Sequence, residues 1–219
     1  IDLSATPPRV LVEVPVPASV VGPPSSVALT PNGQLALISR AMKVDPADPT
    51  KTVPDDVVSV VDLGLPAGGI VSRVTRAIKA KVKGEAATEP ADPTKPQPKV
   101  LATLTVGRGA AGLSINPAGT LALVANRSEG TISVLSIDGK TVTNIGKVEL
   151  GNDKSGPSHV AFLPDGKQAL VTRDNDNRIS WLEIDGTKVT YTKRDMAAGL
   201  RPYGLDISAK GDIAVVANI

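Results

Sequence analysis

The chain has no cysteine, so it can form neither a disulfide nor a thiolate metal site, and it has no cysteine nucleophile. Aromatic residues make up only 2%, which leaves Val, Leu, Ile and Ala to build any core. No apolar run reaches the roughly 18 residues of a membrane-spanning helix. A formal net charge of +2 is too small to point to a nucleic-acid partner. Histidine occurs once, as His159. The lack of cysteine suits an exported protein without disulfides and a cytosolic one equally. The sequence starts at Ile1 rather than Met, so loss of an upstream segment such as a signal peptide is expected, with a periplasmic or secreted location.

What the chain does contain is a repeat. From Gly156 to Asp185 it reads GPSHVAFLPDGKQALVTRDNDNRISWLEID: an alternating run, a Pro-Asp-Gly turn, a second run, a polar loop and a third run. That is a meander of short antiparallel strands. Copies occur at AAGLSINPAGTLALVANRSEGTISVLSIDG, SSVALTPNGQLALISR and RPYGLDISAKGDIAVVANI. The turn glycines Gly33, Gly119, Gly166 and Gly211 are separated by 86, 47 and 45 residues. A period of about 40 to 50 residues with about four strands per unit predicts an all-β fold, a β-propeller of four-stranded antiparallel blades.

In chain order, Arg9 to Val16 reads as an outermost strand. The first blade is expected at Ser25 to Thr30, Leu35 to Arg40, Val57 to Leu63 and Val100 to Val106, with two insertions. One, 41–56, carries Pro46, Pro49 and Pro54 and is expected to be irregular. The other, 64–98, begins with Ile70, Val71, Val74, Ile78 and Val82 at helical spacing among basic residues from Arg73 to Lys83, then becomes proline-rich. The hexapeptide PADPTK appears in both insertions. That basic segment is either a solvated helix or a contact for an acidic protein or anionic surface. The second and third blades follow, and a fourth starts near Pro202. The expectation is one propeller domain over 1–219, about three and a half blades of a ring that continues beyond Ile219 to six or seven.

The phrases VALTPNGQLALIS, GLSINPAGTLALVAN, GPSHVAFLPDGKQALVT and YGLDISAKGDIAVVAN resemble the repeats of the YVTN-type, lactonase-like propeller families, over most of the chain apart from the insertions. The resemblance implies a seven-bladed ring. Related propellers serve as lactone hydrolases, as surface-layer or periplasmic proteins and as carriers of redox partners, so function must come from the site.

In the propeller scheme the connections into each blade and the loops between its second and third strands share one rim. There the repeats place Arg108, His159, Arg201 and Tyr203, together with Arg40, Arg127, Glu129, Arg173, Asp174 and Asp176. The seventh residue after each turn glycine is Arg40, Asn126, Arg173 and Asn218, so two blades carry Arg where the family pattern usually has Asn. Such a rim suits an anionic small molecule or protein partner through Arg40, Arg108, Arg127, Arg173, Asp174, Arg201 and Tyr203; alternatively the arginines pair with nearby loop carboxylates such as Asp174.

The segment GPSH resembles the family's GPRH-type motif, with Ser158 in place of Arg. The family's acidic residue after a second-strand Asn has no clear equivalent, Arg173 and Asp174 standing there. By the resemblance His159 polarises a lactone carbonyl or acts as a general base; the other reading is a structural histidine closing a turn. RDNDNR, from Arg173 to Arg178, lacks the ligand spacing and closing glutamate of a calcium loop, and GRGAAG opens a strand rather than a helix, so no metal and no cofactor are expected. The sequence thus reads first as a non-catalytic binding or interaction module, with a lactone hydrolase using His159 as the alternative and a cell-envelope or surface-layer structural protein as a third.

Overall fold

The four copies of the turn-flanked alternation become four separate sheets in the computed structural model, which describes residues 6–8, 10, 12–20, 27–64 and 98–219. The first sheet is β1 (Val27–Leu29), β2 (Leu35–Val44), β3 (Thr52–Asp62) and β4 (Lys99–Thr105). The second is β5 (Ala110–Ile115), β6 (Leu121–Asn126), β7 (Thr131–Asp138) and β8 (Thr141–Glu149). The third is β9 (Pro157–Phe162), β10 (Gln168–Arg173), β11 (Arg178–Asp185) and β12 (Lys188–Ala197), and β13 (Pro202–Ile207) pairs with β14 (Ala214–Asn218). Every pairing is antiparallel between consecutive strands, as in the blades of a partial β-propeller.

Two expectations are corrected. Residues 10 and 12–16 form no strand, so the proposed outermost strand at Arg9 to Val16 is absent among the described residues there. The insertion 41–56 is largely regular: β2 and β3 run on as a long hairpin, with Met42 opposite Pro54 and Val44 opposite Thr52. Pro46 and Pro49 fall at its tip, and Pro54 lies beyond the part of β3 that pairs with β4, where a missing N–H breaks no ladder on that side. The expected basic helix over Arg73 to Lys83 and the second PADPTK lie outside the described residues.

The middle strands are buried on both faces because each sheet is sandwiched between its neighbours. Leu35, Leu37, Val58 and Val60 of the first sheet meet Leu113, Val124, Leu135 and Ile137 of the second. Leu121, Leu123, Ile132 and Val134 meet Val160, Phe162, Ala169, Val171 and Leu182 of the third. Leu170 and Ile179 meet Leu205 of the fourth. That explains why LALVAN is buried at all six positions. Small aliphatic residues suit layers that must be filled from both sides at native density.

The turns keep the layers in step. At Gly119, φ is +72°, and an added Cβ would lie 3.1 Å from Pro31 of the preceding sheet's turn; Gly211 stands in the same relation to Pro164 at 3.0 Å. Glycine therefore serves both the left-handed turn and the close stacking of one blade on the next. The first strands of successive sheets also pack side by side, β1 against β5, β5 against β9 and β9 against β13. Hydroxyls cross between blades at equivalent places: Ser39 Oγ donates to the Ala111 carbonyl, and Thr172 Oγ1 donates to the Tyr203 carbonyl at 2.7 Å.

Candidate functional site

Each of the last three first strands is bulged near its start. Ala110 pairs with Asn126 and Leu113 with Val124, so Ala111 and Gly112 together face one residue; in the third sheet Pro157 pairs with Arg173 and His159 with Thr172, leaving Ser158 extra. The fourth sheet repeats this between Pro202 and Leu205. A bulge re-aims side chains locally, and here it falls beside the histidine.

Counting from the turn glycines, the residues level with His159 are Gly112 and Gly204. The alternation that sends Leu113, Val160 and Leu205 toward the preceding blade sends these three to the opposite face. A Cβ on Gly112 would come within 2.6 Å of His159 Nδ1 and 2.7 Å of the Ser158 carbonyl, whereas Gly204 has nothing within 4 Å. His159 therefore packs directly on Gly112 of the preceding blade. Its backbone N–H donates to Thr172 Oγ1 at 3.1 Å, and that hydroxyl donates to the Tyr203 carbonyl. Burial lowers the His159 pKa below 6.5, and the negative charge of Asp206 partly opposes the shift. Ser158 is no nucleophile for it: Ser158 Oγ is buried and donates to the Gly156 carbonyl at 3.2 Å.

Gly112→Ala is expected to cost about 1–3 kcal/mol through overpacking at a site whose nearest neighbours include backbone atoms. It is also expected to displace the imidazole. Urea denaturation of the variant measures the first effect, and the His159 imidazole NMR shift reports the second.

The loops that the repeats assign to the rim lie side by side within a blade. Loops entering each blade lie against that blade's loop between second and third strands: Arg127 N donates to the Gly109 carbonyl at 2.9 Å and Asp174 N to the Gly156 carbonyl at 2.9 Å. Across blades, Arg127 Nε donates to Asp174 Oδ2 at 3.1 Å, and its Nη2 reaches the same oxygen. Asp174 is buried and Arg127 remains partly open. Tyr203 shares this environment: burial raises its hydroxyl pKa, Arg127 opposes the rise and Asp174 adds to it. Arg127, Asp174 and Tyr203 thus come together from three neighbouring sheets.

The other rim residues are placed differently. Arg173 is only 4% exposed and turns into its own blade, where Nη1 donates to Ser180 Oγ, Tyr191 Oη and Asp195 Oδ2 at 3.1, 3.2 and 3.3 Å and Nη2 to Asp176. This corrects its assignment to the mouth. The equivalent Asn126 is shorter and stays within its sheet, bonding Thr131 and Ser133 while lying against Gly107. Arg40 is paired with buried Asp55, which Lys43 also holds at 2.9 Å. Burial alone would raise the Asp55 pKa, but these two cations outweigh it and the pKa is lowered. Arg108 is exposed, with its backbone N–H on Glu129 at 2.8 Å. Arg201 is exposed at φ +47°, where the other two equivalent positions are Gly109 and Gly156. The rim is therefore not a bare positive ring: Arg40 and Arg127 are matched by carboxylates. Among the described residues no group of three His, Asp or Glu is arranged as metal ligands.

A family model described as Lactonase, 7-bladed beta-propeller matches residues 75–201, more than half of the chain. No curated protein matches. Among solved structures, a putative 6-phosphogluconolactonase from Bacteroides uniformis superposes with a TM-score of 0.63 at 14% identity, covering 92% of this chain and 51% of that one. A periplasmic gluconolactonase of Pseudomonas aeruginosa gives 0.58 at 18% identity, covering 89% and 46%. Hydrazine synthase of Kuenenia stuttgartiensis gives 0.57 at 18%, covering 92% and 44%. The chain spans about half the length of these structures, and the likeness is one of fold.

Proposed function

The chain belongs to the lactonase family of seven-bladed β-propellers, and from that premise we propose that it carries the catalytic face of a lactone hydrolase, with His159 as general base. The observation that supports this best is the setting of His159: on the first strand of its blade, packed on Gly112 and kept neutral by burial. A neutral imidazole at pH 7 can take a proton from water. The resulting hydroxide adds to the lactone carbonyl, the ring C–O bond breaks, and the imidazolium returns the proton to the leaving alkoxide, giving a hydroxy acid. Arg127 and the Tyr203 hydroxyl, both at the same mouth, are suited to stabilise the oxyanion and the new carboxylate.

The family match favours this reading over a non-catalytic binding module, for which nothing beyond the rim arginines speaks, and Arg40 among them is already paired with Asp55. An extracytoplasmic location is supported by the periplasmic gluconolactonase among the neighbours.

The test is hydrolysis of a panel of five- and six-membered lactones by the full-length protein, followed by proton release across pH. Because the base works unprotonated and its pKa lies below 6.5, activity should be at its plateau by pH 7 and fall on the acid side. Absence of turnover on every lactone, or an acid limb centred above 6.5, overturns the assignment.

A further inference from the structure

The bulges near the starts of the first strands turn backbone groups away from their own sheets, and neighbouring blades take some of them up. The carbonyls of Ala111, Ser158 and Tyr203 occupy equivalent places, each eight residues before a turn glycine. Ser39 Oγ of the first sheet donates to the Ala111 carbonyl, and Thr172 Oγ1 of the third donates to the Tyr203 carbonyl at 2.7 Å. In the second blade the residue level with Ser39 and Thr172 is Ala125, which has no hydroxyl to offer the Ser158 carbonyl. The strand bearing His159 is therefore not clasped in this way from the blade before it. It is held from its own sheet instead, by the same Thr172. A threonine hydroxyl has one proton, and the Tyr203 carbonyl at 2.7 Å takes it rather than the His159 carbonyl at 3.5 Å. Its lone pair is left to accept the His159 backbone N–H at 3.1 Å. Thr172 is fully buried, so water does not compete for either bond.

We propose that Thr172 is a positioning residue: by accepting from the His159 backbone and donating to that of Tyr203, its hydroxyl fixes the strand bearing the base against the strand bearing Tyr203. Neither backbone group has a regular substitute. Ser158 is the extra residue of the β9 bulge, just before His159, and Tyr203 and Gly204 together face one residue of β14. The imidazole has little slack to absorb a shift of its backbone, because it packs on Gly112 so closely that a Cβ there would come within 2.6 Å of Nδ1. Movement at the His159 backbone is therefore passed on to the ring. The consequence for catalysis rests on the hydrolase reading, but the tie between the two strands does not.

In the full-length protein, Thr172→Val keeps the side-chain volume and removes the hydroxyl, whereas Thr172→Ser keeps the hydroxyl. Thr30→Val is the matched control: it removes another buried hydroxyl, which accepts the Leu35 N–H at 3.0 Å and donates to Asn32 at 2.7 Å, in the turn at the opposite end of the first blade. Both valine variants should melt about 2–4 °C lower than wild type. Thr172→Val alone should also lower kcat for lactone hydrolysis, by about 10- to 100-fold with KM nearly unchanged, and Thr172→Ser should restore most of the rate. In amide NMR spectra, the signals of His159 and of Gly204, whose peptide contains the Tyr203 carbonyl, should move together in Thr172→Val and stay in place in Thr30→Val. A folded Thr172→Val protein, or Thr172→Ala if the valine variant does not fold, that keeps its kcat within about threefold of wild type overturns the positioning role. If the wild type hydrolyses no lactone, the functional reading fails, while the two amide signals still decide the tie: should either stay in place in Thr172→Val, the tie is absent.

Discussion

Arg173→Ala should lower the stability of the protein by about 3–5 kcal/mol, the range for breaking a buried ion pair from one side. The guanidinium sits in the middle of the third blade and satisfies Ser180, Tyr191, Asp195 and Asp176 at once. Removing it leaves two largely buried carboxylates, Asp176 and Asp195, without their main counter-charge. It also opens a void next to Tyr191, whose hydroxyl is held neutral by burial and by Asp195. Arg178 lies 4.0 Å from Asp195 but is more than half exposed, so it offsets little.

Asn at this position, as at Asn126 and Asn218, should not restore stability. Those asparagines lie against Gly107 and Gly199, whereas the equivalent residue in the third blade is Lys154. Urea denaturation of Arg173→Ala and Arg173→Asn tests this. A loss below about 1 kcal/mol in the alanine variant would mean that the network is replaceable by water.

The sequence revealed the blades because their cause is local. A left-handed turn needs glycine, a strand buried between two layers needs an apolar run, and both recur at Gly119, Gly166 and Gly211 with a nearly constant interval. The 41–56 hairpin was not legible because Pro46, Pro49 and Pro54 signal breaks, and only the pairing partners show that the first two lie in the tip and the third off the shared ladder. His159 was singled out through the family motif GPSH, which implied a place at the mouth. Arg173 was not: its periodicity places it at the end of a strand, but whether it turns to the rim or into the blade depends on Tyr191 and Asp195, two strands away.

His159→Ala should reduce kcat/KM for lactone hydrolysis by about 10²- to 10⁴-fold, the usual contribution of a positioned general base. The loss should fall on kcat, because Arg127 and Tyr203, the groups suited to hold the substrate, stay in place through contacts that do not involve the imidazole: Arg127 on Asp174, and the Tyr203 carbonyl on Thr172. The fold should tolerate the change. The histidine backbone bond to Thr172 is retained. A structural histidine predicts the reverse pattern, a lower melting temperature with a rate per folded molecule close to wild type. Measuring kcat, KM and thermal melting on one preparation separates the two: a rate within about threefold of wild type would remove His159 from the chemistry, since a base worth no more than that is not acting in the transition state.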